Sequence, residues 1–296
     1  MSVFDLYREV YRLVKQIPEG QISTYKEIAI ALGDEIAARA IGEVLNQNPF
    51  PIEVPCHRVV HEDMRIGGYR LGVTEKIEIL KKEGVKIENS RVNAPVFREF
   101  RSSKPLEKMR MEQERLSRRA KIRTHTNSDF EFFAGFDVSY KERFGKAALC
   151  VMDKKLNIVD RKVVYGLAKM PYIPTYLGYK ELPFFKKLKW DEKFLLFVDG
   201  NGIMHPRFFG SASLIGFKFD LPTIGVAKSR LIGETRDGEV FYKDRKVGYK
   251  KGHIFISPGY KVSLENSLYL ADKCSIYKTP EPLRQAHLLA KINENK

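Results

Sequence analysis

The chain has 296 residues and a net charge of +15, carried unevenly: residues 1–100 hold 14 basic and 15 acidic side chains, residues 101–296 hold 38 and 22. With 43% hydrophobic and 30% charged residues it is a folded protein rather than a disordered one, and no apolar run approaches the ~20 residues of a membrane span. Cys56, Cys150 and Cys274 are far apart and odd in number, which excludes a disulfide framework and fits a cytoplasmic protein. A basic surface attracts polyphosphates, so nucleic acid is the leading partner, although solubility alone explains such a charge equally well.

In chain order, Ser2–Ile17 places Leu6, Val10, Leu13, Val14 and Ile17 at helical spacing, and Pro18-Glu19-Gly20 stops it. Ser23-Thr24 starts a second helix, with Glu27 placed to close a capping box on Thr24. Gly33-Asp34 ends it and Glu35–Leu45 forms the next, the outline of a helix-turn-helix. Residues 91–105 contain two prolines and no period, and read as a linker. Leu106–Ile122 reads as a basic helix. Strands follow at Phe132–Tyr140, Ala147–Asp153, Asn157–Tyr165, Phe194–Asp199 and Thr223–Ala227. The first three form an antiparallel meander. Ser211–Phe217 is a crossover helix that makes the last two parallel. The expected fold has two domains: a mainly helical one over 1–90, the linker 91–105, and an α/β mixed-sheet domain over 106–296.

Pro55-Cys56-His57-Arg58 sets a thiol beside an imidazole, a pairing that lowers the cost of making a nucleophilic thiolate. By itself the pair is as well explained by a buried structural cysteine. The wider text includes Asn48-Pro49-Phe50-Pro51, Ser23-Thr24-Tyr25, Ala38-Arg39-Ala40-Ile41-Gly42, Gly67-Gly68-Tyr69-Arg70-Leu71-Gly72 and Lys82-Glu83-Gly84. Together these resemble the O6-alkylguanine-DNA alkyltransferase family, from Phe4 to Ile87. The resemblance implies a winged-helix-like module in which Cys56 accepts an alkyl group, His57 passes its proton through water and Glu83 orients His57. It also implies that Asn48 holds the hinge before the Cys loop, Arg39 fills the gap left by a flipped nucleotide, Tyr25 presses on a phosphate and Tyr69 lines the alkylguanine pocket. Flipping is required because the alkylated oxygen lies inside the base stack. The family usually carries a further domain ahead of this module, and relatives without the reactive cysteine bind lesions without repairing them. The presence of Cys56 implies transfer.

Asp137, Glu181 and Asp199 lie in or beside apolar text, where a carboxylate is costly unless paired or metal-bound. For any one of them, a strand-end cap or a salt bridge is a sufficient account. Their settings are Phe133-Ala134-Gly135-Phe136-Asp137-Val138-Ser139-Tyr140, Pro171-Tyr172-Ile173-Pro174, Asp199-Gly200-Asn201-Gly202-Ile203-Met204-His205-Pro206-Arg207 and Gly225-Val226-Ala227-Lys228. In this order they resemble the endonuclease V family, over about 106–290, joined by Glu281-Pro282-Leu283-Arg284. The resemblance implies a ribonuclease H-like sheet that cuts the second phosphodiester bond 3′ of a deaminated base, mainly hypoxanthine. It implies Mg²⁺, or Mn²⁺, held by Asp137, Glu181 and Asp199, with His205 as a second ligand or proton handler. Lys228 would steady the scissile phosphate or its water, and Tyr172 would stack within a strand-separating wedge. Tyr260 stands where the family usually has His and is expected to bind no metal, because a phenol is neutral near pH 7.

The combined expectation is a monomeric, bifunctional DNA-repair protein. It transfers alkyl groups from O6-alkylguanine in damaged DNA to Cys56, without a cofactor, and cleaves metal-dependently 3′ of deoxyinosine. The other reading is an alkyl-lesion sensor fused to a nuclease that prefers inosine-containing RNA. The basic stretch Arg98–Arg123 is expected to add DNA affinity for both sites.

Overall fold

A computed structural model of the chain describes residues 4–120, 130–191 and 193–292. They group into two compact units, residues 1–110 with 169–174, and residues 111–168 with 175–296. Among the described residues no helix is long and apolar enough to cross a membrane.

The first unit is mainly helical. α1 (Leu6–Val14) is capped by Asp5 and buries Leu6, Tyr7, Val10, Leu13 and Val14 on one face. β1 (Ser23–Thr24) runs into α2 (Tyr25–Leu32). Thr24 caps α2 by accepting the Glu27 N–H at 3.1 Å. The Glu27 carboxylate goes to Arg98 Nε at 3.0 Å instead of returning to Thr24. Gly33 ends α2 with φ 99°, and a side chain there would also collide with the Glu107 backbone. A 3-10 turn (Glu35–Ala37) leads to α3 (Ala38–Asn46). Cys56–Arg58 forms another 3-10 turn, followed by β2 (Val59–Val60), which pairs parallel with β1. α4 (Val73–Lys82) and the hairpin of β3 (Lys86–Glu88) and β4 (Arg91–Asn93) complete it.

The expected linker over 91–105 is anchored instead. Arg91–Asn93 is a strand, the Phe97 N–H donates to the Ile22 carbonyl at 2.7 Å, and the Ile22 N–H to Pro95 O at 3.0 Å. Its apolar residues explain this: Val92, Ala94 and Val96 pack with Ile22, Ile66 and Leu80. The boundary between the units falls later, between Arg110 and Met111 inside α5 (Pro105–Ser117). That helix ends at Ser117 rather than Ile122, and residues 121–122 of the expected helix lie outside the described residues.

Among the described residues, the second unit has a nine-stranded mixed sheet. β5 (Phe132–Lys141), β6 (Phe144–Asp153) and β7 (Ile158–Leu167) form the predicted meander. α6 (Leu177–Phe185) precedes β8 (Phe194–Asp199), and α7 (Ser211–Phe219) crosses to β9 (Thr223–Ala227), parallel to β8. Four further strands were not predicted: β10 (Glu234–Arg236), β11 (Glu239–Tyr242), β12 (Arg245–Lys251) and β13 (Ile254–Tyr260). α8 (Leu264–Lys273) and α9 (Glu281–Ala290) follow. The strand order is β10-β11-β12-β13-β9-β8-β5-β6-β7. Alternate residues of β5 and β8 feed two cores. Ala134, Phe136, Leu196 and Val198 pack with α6 and α7 residues Phe185 and Ile215. Phe133, Leu195 and Phe197 pack with Leu270 and Leu283 from α8 and α9. Burial on both faces is why these strands read as near-continuous apolar runs, and why acids at their ends stand out.

α9 crosses β5 at Gly135, where a Cβ would lie 2.1 Å from the Pro282 carbonyl oxygen. Asp137 is two residues farther along the strand, about 7 Å, and His287 five residues farther along the helix, about 7.5 Å. The close crossing therefore delivers His287 to Asp137. Gly135→Ala should destabilise the second unit by about 1–3 kcal/mol through overpacking, read from denaturant unfolding. An unchanged midpoint would show that the crossing tolerates a methyl group.

Candidate active sites

Cys56 lies in the 3-10 turn after Pro55, its thiol almost fully buried. Asn48, wholly buried, donates from Nδ2 to Sγ and to the Val54 carbonyl, both at 3.3 Å, while its Oδ1 accepts the Phe50 N–H at 3.0 Å. One amide thus ties the loop from 48 to 56 together. Beside the thiol, His57 Nε2 and Glu83 Oε1 are 2.8 Å apart. Arg58 grips the same carboxylate, with Nη2 at 2.7 Å from Oε1, and reaches the Ile17 carbonyl from Nη1 at 2.7 Å. Burial works against a charged Glu83, but Arg58 and then His57 outweigh it and hold the carboxyl below its ordinary range. A carboxylate at Nε2 fixes the ring proton there and leaves Nδ1 as the basic nitrogen. That Nδ1 is buried with no hydrogen-bond partner among the described residues. Burial chiefly lowers the His57 pKa, so the ring is neutral near pH 7. Burial also pushes the Cys56 thiol up, against the Asn48 hydrogen bond and the Lys76 charge.

Cys56 opens on a cavity of about 570 Å³ lined in part by Tyr25, Arg39, Gly42, His61 and Tyr69. The Tyr69 hydroxyl donates to Pro51 O at 3.3 Å, and its ring stands edge-on to His57 at 6.2 Å. Tyr25 packs against His61 at 5.5 Å. Arg39 is exposed, with no acidic partner within 4 Å among the described residues. The seven residues expected at this site therefore share one unit. Lys76 and His61 were missed. Lys76 is fully buried, donates Nζ to Val59 O at 2.6 Å and Gly68 O at 3.2 Å, and burial lowers its pKa to about 8. Nothing in the sequence marks a lysine for such a place, whereas His61 stands five residues after Cys56.

In the second unit, strand register builds the site. Phe136 lies opposite Val198 in the parallel pair of β5 and β8, so the next residues, Asp137 and Asp199, end side by side. α9 adds His287, whose Nδ1 is 2.6 Å from Asp137 Oδ2. Asp137, Asp199 and His287 each offer a ligand atom within 4.8 Å of the others. Lys228, just past β9, puts Nζ 3.5 Å from Asp199 Oδ2. Glu181 on α6 is buried beside them. Burial first, then the charges of Asp137 and Asp199, push its carboxyl well above the usual range. Burial and Asp137 likewise raise Asp199, against Lys228 and His287. Carboxylates gathered in apolar surroundings need a cation or a proton between them. Carboxylate oxygens with one imidazole suit a hard divalent ion. His287 was missed by the sequence reading, although it lies only six residues after Glu281 in a recognised stretch.

His205 departs from its expected role. It is buried, with Nε2 donating to Thr175 O at 2.9 Å and Nδ1 accepting the Arg207 N–H at 3.2 Å. Burial above all lowers its pKa to about 3, so it stays neutral with both ring nitrogens engaged. In this arrangement it acts as an internal strut, tied to Thr175 and Arg207. Tyr260 is buried against Phe217 and donates to Asp220 Oδ1 at 3.3 Å, opposite Thr223 at the far end of β9 from Lys228. Tyr172 is exposed, in the segment 169–174 that groups with the first unit. In the stretch expected to add DNA affinity, Arg98 pairs with Glu27, and Lys104 and Arg110 lie within 4 Å of Glu107, so part of its charge is answered locally. Lys121 and Arg123 lie outside the described residues.

One unit thus presents an acceptor thiol with a histidine–carboxylate relay, and the other an acidic centre of the kind that hydrolyses phosphodiesters with a metal. Residues 5–85 match the family model of the 6-O-methylguanine DNA methyltransferase, DNA binding domain, and residues 114–288 that of Endonuclease V. A bifunctional methyltransferase/endonuclease from Picrophilus torridus is 38% identical over 290 residues, covering 97% of this chain and 96% of its own. The chain belongs to this family of bifunctional methyltransferase/endonucleases, enzymes of DNA repair. The catalytic domain of human Endonuclease V matches with TM-score 0.56 and 26% identity, over 64% of this chain and 96% of that one. An Endonuclease V from Ciona intestinalis, in complex with a 23mer DNA containing an inosine followed by a ribo-adenosine, shares the fold at TM-score 0.57 and 23% identity, over 64% and 97%. Endonuclease V is a metal-dependent family, and the acidic cluster is the candidate metal site here. The match to a named methyltransferase/endonuclease favours transfer over lesion sensing.

His287→Ala should weaken Mn²⁺ binding roughly tenfold or more, the usual scale for losing a metal-site partner, read by isothermal titration calorimetry. His205→Ala should leave that affinity unchanged and lower stability by about 1–3 kcal/mol, from buried groups left unpaired. The reverse pattern would return His205 to the metal site.

Proposed function

We propose that the first unit removes the alkyl group from O6-alkylguanine in duplex DNA and that the second nicks DNA 3′ of deoxyinosine with Mg²⁺. The observation that carries this reading is convergence: within each unit, groups far apart in sequence meet in the geometry their chemistry needs.

In the first unit, α2 and α3 act as a helix-turn-helix, with α3 as the recognition helix in the manner of such motifs. Arg39, exposed near its start, fills the duplex where the lesion leaves. The flipped base enters the cavity beside Tyr69 and Tyr25. The Cys56 proton passes through a bridging water to His57 Nδ1, the nitrogen that Glu83 leaves basic. The thiolate electron pair forms the new S–C bond as the O6–C bond breaks, and the base keeps that bonding pair and takes up a proton. Cys56 ends as a thioether, so each protein acts once. Arg58 and Glu83 hold the imidazole in place throughout, and Asn48 fixes the thiol.

In the second unit, with its ribonuclease H-like sheet, Asp137, Asp199 and His287 would hold the ion, and Glu181 lies next to them. Bound there, a divalent ion would supply an activated water and offset charge on the scissile phosphate. Lys228 steadies that phosphate. Tyr172, in the segment 169–174 that groups with the first unit, is exposed and flanked by Pro171 and Pro174, a stiff setting for a ring that stacks on a base. The inosine-containing DNA held by the Ciona protein supports deoxyinosine as the lesion. The buried free thiols among the described residues suit a reducing cytoplasm.

The protein is tested with Mg²⁺ and oligonucleotides bearing methylguanine or deoxyinosine, with transfer and nicking followed together. Cys56→Ala should abolish transfer and keep nicking, and Asp199→Ala should abolish nicking and keep transfer. Alkyl label found by mass spectrometry on Cys150 or Cys274, or full nicking in chelator, would defeat the corresponding half.

A further inference from the structure

The metal cluster lies at one edge of the nine-stranded sheet, and the register shows what else lies there. β8 and β9 run parallel, so the end of β9 and Lys228 share the edge of Asp199. β13 runs antiparallel to β9 with Phe255 opposite Ala227, so the start of β13, preceded by His253, returns to the same edge. β12 pairs with β13 through Lys251 opposite Ile254, which brings Lys250 and Lys251 there. The Lys250 N–H donates to Gly238 O at 2.8 Å, which continues the edge to Arg236 at the end of β10. Lys228, Arg230, Arg236, Lys250, Lys251 and His253 are all exposed. Three are already answered, Lys228 by Asp199, Arg236 by Glu234 and Lys251 by Asp272. Arg230, Lys250 and His253 have no acidic partner within 4 Å among the described residues.

We propose that this edge is a phosphate track, which holds the duplex on one flank of the scissile bond through Arg230, Lys250 and His253. It deepens the nuclease reading and rests on it. Strands sit about 4.8 Å apart, so β12 lies three spacings, roughly 14 Å, from Asp199. One DNA strand carries a phosphate per about 3.4 Å of helix axis, so the row spans roughly four nucleotides. Arg230 and Lys250, with the His253 ring as a hydrogen-bonding partner, are exposed groups suited to backbone phosphates and not to base edges. The track therefore adds affinity equally for every sequence around the lesion. Its occupant is nucleic acid because a row of separate basic side chains, starting at a phosphodiester-cleaving centre, matches an extended polyanion.

The test measures binding of full-length protein to a deoxyinosine duplex without divalent metal, so that the strand stays intact, across a range of salt. Nicking by the unsubstituted protein in Mg²⁺ is run alongside. Arg230→Gln with Lys250→Gln should reduce the log–log salt slope by about two units, near 0.9 per lost phosphate contact, and weaken binding roughly tenfold near 0.1 M salt. Shortening the duplex to within about four nucleotides of the nick on one side should weaken the unsubstituted protein and leave the double variant unaffected. Normal nicking by the parent with an unchanged slope in the variant would overturn the track. A parent that fails to nick deoxyinosine would overturn the nuclease reading instead.

Discussion

The second unit is organised around an electrostatic cost. Parallel pairing of β5 with β8 sets Asp137 beside Asp199 at the end of a sheet that is apolar on both faces, and α6 brings Glu181 to the same place. Two like charges about 5 Å apart repel by roughly 3 kcal/mol at an effective dielectric constant near 20. A fold would not keep such a cluster for stability. The surroundings are arranged to tolerate it: Lys228 reaches Asp199 from the end of β9, and α9 is drawn close over Gly135 so that His287 meets Asp137. Each of these features follows from the need to hold negative charge together until a cation arrives.

The first unit solves the opposite problem. In the proposed transfer, its thiol stays protonated until substrate is bound and then loses its proton locally. Burial supplies the first half by raising the thiol. The second half comes from a histidine whose outer nitrogen is committed to Glu83, and whose inner nitrogen is open. Glu83 is itself bound by Arg58, so it orients the ring without taking its proton for good. Buried Lys76 links the carbonyls of Val59 and Gly68, the latter in the cavity wall, with a charge close enough to favour the thiolate. One centre gathers like charges that are only partly offset, the other ties its charged groups into hydrogen bonds.

Much of this was legible in the sequence because it rested on local pattern. The meander, the crossover helix Ser211–Phe217 and the helix–glycine–helix of residues 24–45 follow from periodicity and caps that act over a few residues. Asp137 and Asp199 stood out because carboxylates conflict with apolar surroundings, and Cys56 because of the ordered motifs around it. What escaped depended on distant partners. β10 and β11 are only three and four residues long, β12 is mostly basic, and β13 carries Pro258 and Gly259, so pairing to neighbouring strands is what makes them strands. Residues 91–105 looked free because of their prolines, yet Val92 and Val96 complete a core built by Ile22 and Leu80. The structure engages His205 with backbone groups and sets His287, which the sequence reading had not singled out, against Asp137. A motif setting says that a histidine matters, but only its neighbours decide whether the ring faces a carboxylate or a backbone carbonyl.

The central claim is that the paired strand ends were shaped around one divalent ion. A crystal grown or soaked with Mn²⁺ and measured for anomalous scattering tests it directly. The account predicts a single strong peak in the second unit, about 2.0–2.3 Å from carboxylate oxygens of Asp137 and Asp199, with His287 or Glu181 completing the set. A peak elsewhere, or none at saturating Mn²⁺ with these side chains ordered, would contradict it.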